Sequence, residues 1–387
     1  MWDPPWHGRS GTTALAPTIK RRGGLHQERE EDPTGIVGGI DIHRRQLTFD
    51  IVDLATGENV RGRVSPADRV ELRRFLAGLD GAGGNGAMEG CTGWRYVTEE
   101  LERAGFRAHV AEPADTTALR GNKRRAKTDR GDARQLRKLL MTGELPESWI
   151  PPRLVLEARG VVRLYKDLAD QRVAWTQRLH ATLYHHGVPE LGCPVAGEQA
   201  RTLLHDAELS PAARRAVEIA LAQIEVVNEM LAPIKLDLAR LSRHQPGCQA
   251  LTAHYGIGPV TSVAIWCEMG DTRRFSSSSD AVRHAGLDIT VYQSDTNRAK
   301  GHLARQRPGV LRWALYEAAM SSTKKASPDH EYFCSLRERL GTQRAALAVA
   351  RKLARWCHHA LRAAATTPVP RPPERLLLPC ASRPQSQ

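Results

Sequence analysis

Residues 35–64, GIVGGIDIHRRQLTFDIVDLATGENVRGRV, decide the fold. Three β-rich runs, GIVGGIDIH, QLTFDIVD and ENVRGRV, are separated by turn residues and predict three successive strands. Pro66–Leu79 then reads as a helix, GAMEG (86–90) as a buried strand, Trp94–Ala104 as a helix and RAHVAE (107–112) as another strand. Strands in succession followed by β-α-β alternation imply a mixed sheet flanked by helices.

Beyond this block the pattern becomes helical. Val217, Leu221, Ile224, Val227, Leu231, Ile234, Leu238 and Leu241 recur at steps of three and four, one apolar stripe interrupted by Pro233. Such a stripe predicts either an intramolecular hairpin or a dimerising coiled coil. The expected class is therefore α/β plus all-α. Its parts are a disordered extension (1–34), a sheet domain (35–154), a helical or coiled-coil linker (155–244), a small helical domain (245–330), a last helix (331–365) and a loose Pro-rich tail (366–387).

Composition narrows the partner. Among 387 residues, 56 Lys and Arg stand against 43 Asp and Glu, and the surplus of +13 points to a polyanion. A hydrophobic share of 41% excludes fibrous and wholly disordered chains. No apolar run reaches the roughly 20 residues that span a bilayer, so no membrane role is expected. The seven cysteines are odd in number, scattered and without a C-x-x-C pair, which fits a reducing cytoplasm rather than a disulfide scaffold.

The chemistry is carried by acids in unusual places. Asp41 lies in the apolar strand GGIDIH, where burying a carboxylate is costly without a cation. Glu89 ends a second strand among the small residues Ala87 and Gly90. In KTDRGDARQLRKLL (127–140), Asp129 and Asp132 stand three apart at a helix start, on one face. Four converging acids would repel one another unless they shared divalent cations. Two magnesium ions (Mg2+) about 4 Å apart suit in-line displacement at phosphorus. Arg124, Arg125, Lys127, Arg130, Arg134 and Arg137 crowd the same region, a run suited to approaching phosphodiesters. Singly, Asp129 also reads as an N-cap or first-turn acid and Glu89 as an ion-pair partner. Together the strand Asp, strand Glu and helical D-x-x-D point to a ribonuclease H-like metal nuclease.

GIDIH, AMEGCTGW and KTDRGDARQLRKLL, in that order, resemble the DEDD transposases of the insertion sequence one-ten family, and the resemblance runs from about Gly35 to Ser322. It implies a ribonuclease H-like domain of the Holliday-junction-resolvase type whose metal-binding acids are Asp41, Glu89, Asp129 and Asp132. It further implies a second domain bearing a serine nucleophile, a composite site shared across subunits of a homo-oligomer, and guidance by an element-encoded structured RNA that pairs with donor and target DNA. A bacterial, nucleoid-associated protein follows from it.

The serine matched by this resemblance is Ser294, in YQSDTNRAKG (292–301), with Arg298, Lys300, Arg305 and Arg307 nearby to hold a phosphate. Family members commonly carry Gly soon after this serine, whereas Asp295 and Thr296 follow here. Earlier, YGIGPVTSVAIW (255–266) has the pattern of a helix-hairpin-helix turn, in which Gly256 and Gly258 would let backbone amides face a DNA phosphate. The same residues also suit an ordinary tight turn. FSSSSDA (275–281) reads as a helix-capping segment. The rival readings are a junction-type DNA nuclease using the four acids alone and an inactive DNA-binding remnant.

Overall fold

The computed structural model describes residues 35–79, 83–119, 128–189, 191–192, 197–290, 293–294, 297–298, 302–303 and 308–365. They form two compact units that divide between Glu157 and Ala158.

The first unit runs β1 (Ile36–Ile42), β2 (Leu47–Asp53), β3 (Asn59–Val64), α1 (Arg69–Ala77), β4 (Gly84–Glu89), α2 (Trp94–Arg103), β5 (Phe106–Ala111), α3 (Pro113–Leu119), α4 (Asp129–Met141) and β6 (Glu147–Ser148). The sheet order is β3-β2-β1-β4-β5-β6. β1, β2 and β3 form an antiparallel meander, β1, β4 and β5 are parallel, and β6 returns antiparallel to β5. This is the ribonuclease H-like mixed sheet expected from the sequence. Helix α1 starts at Arg69 rather than Pro66 because the Asp68 side chain accepts from the amides of Val70 and Glu71, each at 2.9 Å.

Side-chain alternation separates the sheet into two unlike faces. On one, Ile40, Leu47, Phe49, Ile51, Met88 and Val110 pack with Leu72 and Leu76 of α1 and with Val97 and Leu101 of α2. Glu100 of α2 is buried at the rim of this layer. Its carboxylate accepts from Arg69 at 2.6 Å, Arg73 at 2.6 Å and Arg103 at 2.5 Å. On the other face Ala87 and Ala111 pack against Leu136 of α4. A Cβ on Gly39 would lie 2.0 Å from the Ala133 carbonyl oxygen and 2.6 Å from the Arg137 nitrogen, so α4 rests backbone against backbone on β1. The first face is an ordinary greasy core; the second is a floor of small residues.

The second unit is helical. It contains most of α5 (Arg153–His185), then α6 (Glu198–Asp206), α7 (Pro211–His244), α8 (Pro246–Thr252), α9 (Pro259–Met269) and α10 (Ser278–His284). The two-residue strands β7 (Ile289–Thr290), β8 (Gln293–Ser294), β9 (Asn297–Arg298) and β10 (His302–Leu303) follow, then α11 (Gly309–Met320), α12 (His330–Leu340) and α13 (Thr342–Ala365). The apolar stripe of α7 is used within the chain. Val217 and Ala220 cluster with Leu179 and Leu183 of α5, and Val227 and Leu231 with Leu168. Of the two readings of that stripe, the chain forms the intramolecular hairpin with α5, and α7 continues through Pro233. The single last helix expected at 331–365 is two helices, because Gly341 takes φ +80°, a left-handed value that ends α12. Among the described residues no helix is long and apolar enough to cross a membrane.

Candidate metal centre

Asp41 stands one residue from the end of β1. The register pairs Ile40 with Met88, so the next residues on these parallel strands are Asp41 and Glu89, neighbours at the carboxyl ends. Alternation puts Asp41 on the same face as Gly39, under α4. Thr128, not Asp129, caps that helix, its hydroxyl accepting from the Gly131 amide at 3.2 Å. Asp129 and Asp132 are therefore acids of the first turn.

These placements bring three side chains together. His43 Nε2 lies 3.1 Å from Asp41 Oδ2 and 3.4 Å from Asp129 Oδ1. Gln46 Nε2 donates to Asp129 Oδ2 at 3.2 Å. One ligand atom each from Asp41, His43 and Asp129 fall within 4.8 Å of one another. Burial, and then the negative charges of Asp132 and Asp129, hold the Asp41 carboxyl above the usual carboxylate range against the pull of His43. Among the described residues neither Asp41 nor Asp129 meets a Lys or Arg. A divalent cation fits this donor set. Carboxylate oxygens suit a hard ion, the imidazole also suits manganese or zinc, and the ion's charge would relieve the repulsion on Asp41.

Of the four acids expected from the sequence, Asp41 and Asp129 meet in this cluster. Asp132 acts on Asp41 through its charge, and Glu89 sits on the adjoining strand end outside the three-residue group. His43 joins them without having been anticipated. The period of two along a strand was the available signal, since it places residues 41 and 43 on one side.

Asp50 was also missed, although LTFDIVD poses the same anomaly as GGIDIH. It is 1% exposed and accepts from Arg137 Nε at 2.5 Å and Arg61 Nε at 2.7 Å, with Arg134 Nε at 3.6 Å. Burial pushes this carboxyl up, but the hydrogen bonds from Arg137, Asn59 and Arg61 outweigh it and leave Asp50 below the usual range. The expectation that Arg137 serves phosphodiester approach is corrected accordingly: Arg137 is buried on Asp50, whereas Arg134 is exposed, its Nε 3.6 Å from that carboxylate. Arg130 is exposed on the first turn of α4. Arg124, Arg125 and Lys127 lie outside the described residues.

In the second unit, β8 and β9 form a hairpin with Ser294 opposite Asn297 and Gln293 opposite Arg298. Lys300, Arg305 and Arg307 fall outside the described residues, as do Asp295 and Thr296 between the strands. Gly256 takes φ +91°, and a Cβ there would lie 2.0 Å from the Ser321 hydroxyl, so packing within the unit accounts for this glycine. Gly258 is the N-cap of α9, with no side-chain cap bond. Ser277 and Asp280 form a reciprocal capping box on α10, the role expected of that serine cluster.

Two family models match the chain. One, described as a transposase of the IS116/IS110/IS902 family, covers residues 248–334. The other, the DEDD transposase model of IS110, covers residues 38–187. No curated protein matches.

Proposed function

The chain belongs to the IS110/IS116/IS902 family of DEDD transposases, and on that premise we propose that its acids hold two Mg2+ ions and that Ser294 is the nucleophile of strand exchange. The chain is thus an enzyme of DNA transposition, with a candidate metal site in its ribonuclease H-like unit. The observation that carries the proposal is the Asp41–His43–Asp129 cluster, whose two carboxylates meet no Arg or Lys among the described residues. Asp41, Glu89, Asp129 and Asp132 are the proposed ligands. When bound, the metal supplies Lewis-acid stabilisation of charge on the attacking and leaving oxygens.

In this reading the Ser294 hydroxyl attacks phosphorus, its proton passes to a carboxylate, and the bond from phosphorus to the leaving oxygen breaks. The resulting protein–DNA ester keeps the bond energy for rejoining. Arg124, Arg125, Lys127 and Arg130 serve the nucleic-acid backbone in the first unit. Arg298, Lys300, Arg305 and the amides near Gly256 and Gly258 do so in the second. Guidance by an element-encoded RNA, assembly as a dimer or tetramer, and a place on the bacterial nucleoid belong to the same proposal and rest on family resemblance. The domain limits at residues 154, 244 and 330, read from the changes of pattern along the sequence, belong to the proposal as well.

The test uses DNA carrying the element's ends, with magnesium, quenched under denaturing conditions. A covalent protein–DNA adduct that disappears in Ser294→Ala, together with recombination, is the expected result. If Ser294→Ala recombines as well as the unaltered chain, the serine assignment fails. Magnesium-dependent cutting with no adduct in either protein would replace the transposase mechanism with hydrolysis by the acids alone.

A further inference from the structure

The floor beneath α4 raises a problem of register. Gly39, Ala87 and Ala111 give the helix a smooth surface, and at Gly39 no side chain separates it from β1. Such a contact allows close approach but has few ridges to fix the helix along its axis. Sliding by one residue moves the first-turn acids about 1.5 Å, and by one turn about 5.4 Å. Functional constellations tolerate roughly 0.5 Å. Buried Val37 and Leu136 supply some relief to this contact, and a directional bond would hold Asp129 opposite Asp41 more tightly than packing alone.

We propose that Asp50 and Arg137 are positioning residues that lock α4 in register on the sheet and so set the separation of the metal-binding acids. The pair joins the middle of β2 to the body of α4, and it is directional where the floor is not. Arg137 is 8% exposed and Asp50 1%, so neither serves solvent or a phosphodiester. Arg137 Nε donates to Asp50 Oδ1 at 2.5 Å, while Arg61 from β3 and Arg134, a turn earlier on α4, approach Oδ2. Arg61 thereby fixes the carboxylate from the far side, and the guanidinium of Arg137 finds one rigid acceptor. A buried ion pair adds little net stability over apolar residues of the same volume; its best-attested use is to specify register. Gln46 contributes at the near end by holding Asp129 Oδ2. The metal ligands then owe their spacing to a bond made two turns down the helix.

This inference rests on the metal reading of Asp41 and Asp129, and its test separates the two. Manganese is titrated calorimetrically into the full chain, and thermal unfolding is followed without metal. The informative variant is Asp50→Leu/Arg137→Met, which keeps volume and removes both charges. Its melting point should equal or exceed that of the unaltered chain, while manganese affinity falls ten- to a hundredfold. A role in stability alone predicts unchanged affinity, and affinity within twofold of the unaltered chain overturns the proposal. If the double variant does not fold, Arg137→Lys decides. It keeps the charge but loses the planar fork, so affinity should drop by at least fivefold with the fold intact; an unchanged affinity overturns the proposal. Asp41→Asn is the control on the premise. If it binds manganese as the unaltered chain does, the metal reading falls and takes the register lock with it. Loss of binding in Asp41→Asn with none in the double variant sinks the lock alone.

Discussion

Asp41 and Asp50 occupy adjacent strands of one sheet, both on the face covered by α4, and their surroundings could hardly differ more. Asp50 is met by three arginines and lies below the usual carboxylate range. Asp41 is held above that range by burial and by Asp132 and Asp129, and its close partner is an exposed histidine. Among the described residues Asp50 is answered by arginines, whereas Asp41 meets a histidine and the acids of a candidate metal cluster. Burial of a carboxylate therefore does not by itself mark function; its partners decide what it can do.

Substituting each acid in turn should separate them cleanly. Asp41→Asn should cut magnesium-dependent strand exchange on the order of a thousandfold, as expected when charge stabilisation at a reacting centre is lost. Its folding stability should hold or rise, since one member of a repelling cluster is removed. Asp50→Asn should do the reverse first, lowering unfolding free energy by about 3 kcal/mol because buried Arg137 loses its counter-charge. Chemical denaturation of both variants beside a strand-exchange assay checks the contrast, and equal stability losses would dissolve it.

Gly39→Ala probes the floor between the two sites. Its Cβ would strike the α4 backbone, which cannot rotate away as a side chain can, so a loss of about 2 kcal/mol is expected. A denaturation midpoint equal to the unaltered chain would show that the helix can lift without penalty. His43→Ala is smaller and confined to the Asp41 cluster. Manganese affinity should fall about tenfold, with melting unchanged because His43 is half exposed. Calorimetric titration of that variant gives the number directly.

The opposite face of the sheet offers the mildest test. Hydrogen bonds from three arginines, offset in part by burial, pull Glu100 down to about 2. A carboxyl lowered on folding adds stability that is complete above its unfolded value and disappears as pH falls through the folded one. Unfolding free energy should therefore decline between roughly pH 4.5 and pH 2, and Glu100→Gln should flatten that decline. An identical acid profile in the variant would show that Glu100 carries none of it.

The strands of the first unit were legible because apolar runs bounded by turn residues have few alternatives, and even the mixed pairing followed from their succession. The D-x-x-D helix was legible from spacing. Its cap was not, since Thr128 and Asp129 are both good N-cap residues and only backbone geometry chooses between them. The run of basic residues misled at Arg137, because composition cannot tell an arginine turned to solvent from one turned to a strand far away in sequence. The break at Gly341 was overlooked because a helical period continues on both sides of it. The α7 stripe stated that something apolar must cover it, and whether that was α5 or a second chain depended on a fold that periodicity does not contain.

Gln46 and Asp129 are 83 positions apart in the chain, and Asp50 and Arg137 are 87 apart. The β1–β2–β3 meander needs only local contacts, whereas the centre needs a helix made long after those strands. Closing such a loop is a late event in folding, since its entropy must be spent before the contact repays it. During synthesis, the strands bearing Asp41 and Asp50 can pair while α4 is still within the ribosome. The candidate metal cluster therefore forms only once α4 has joined strands made long before it.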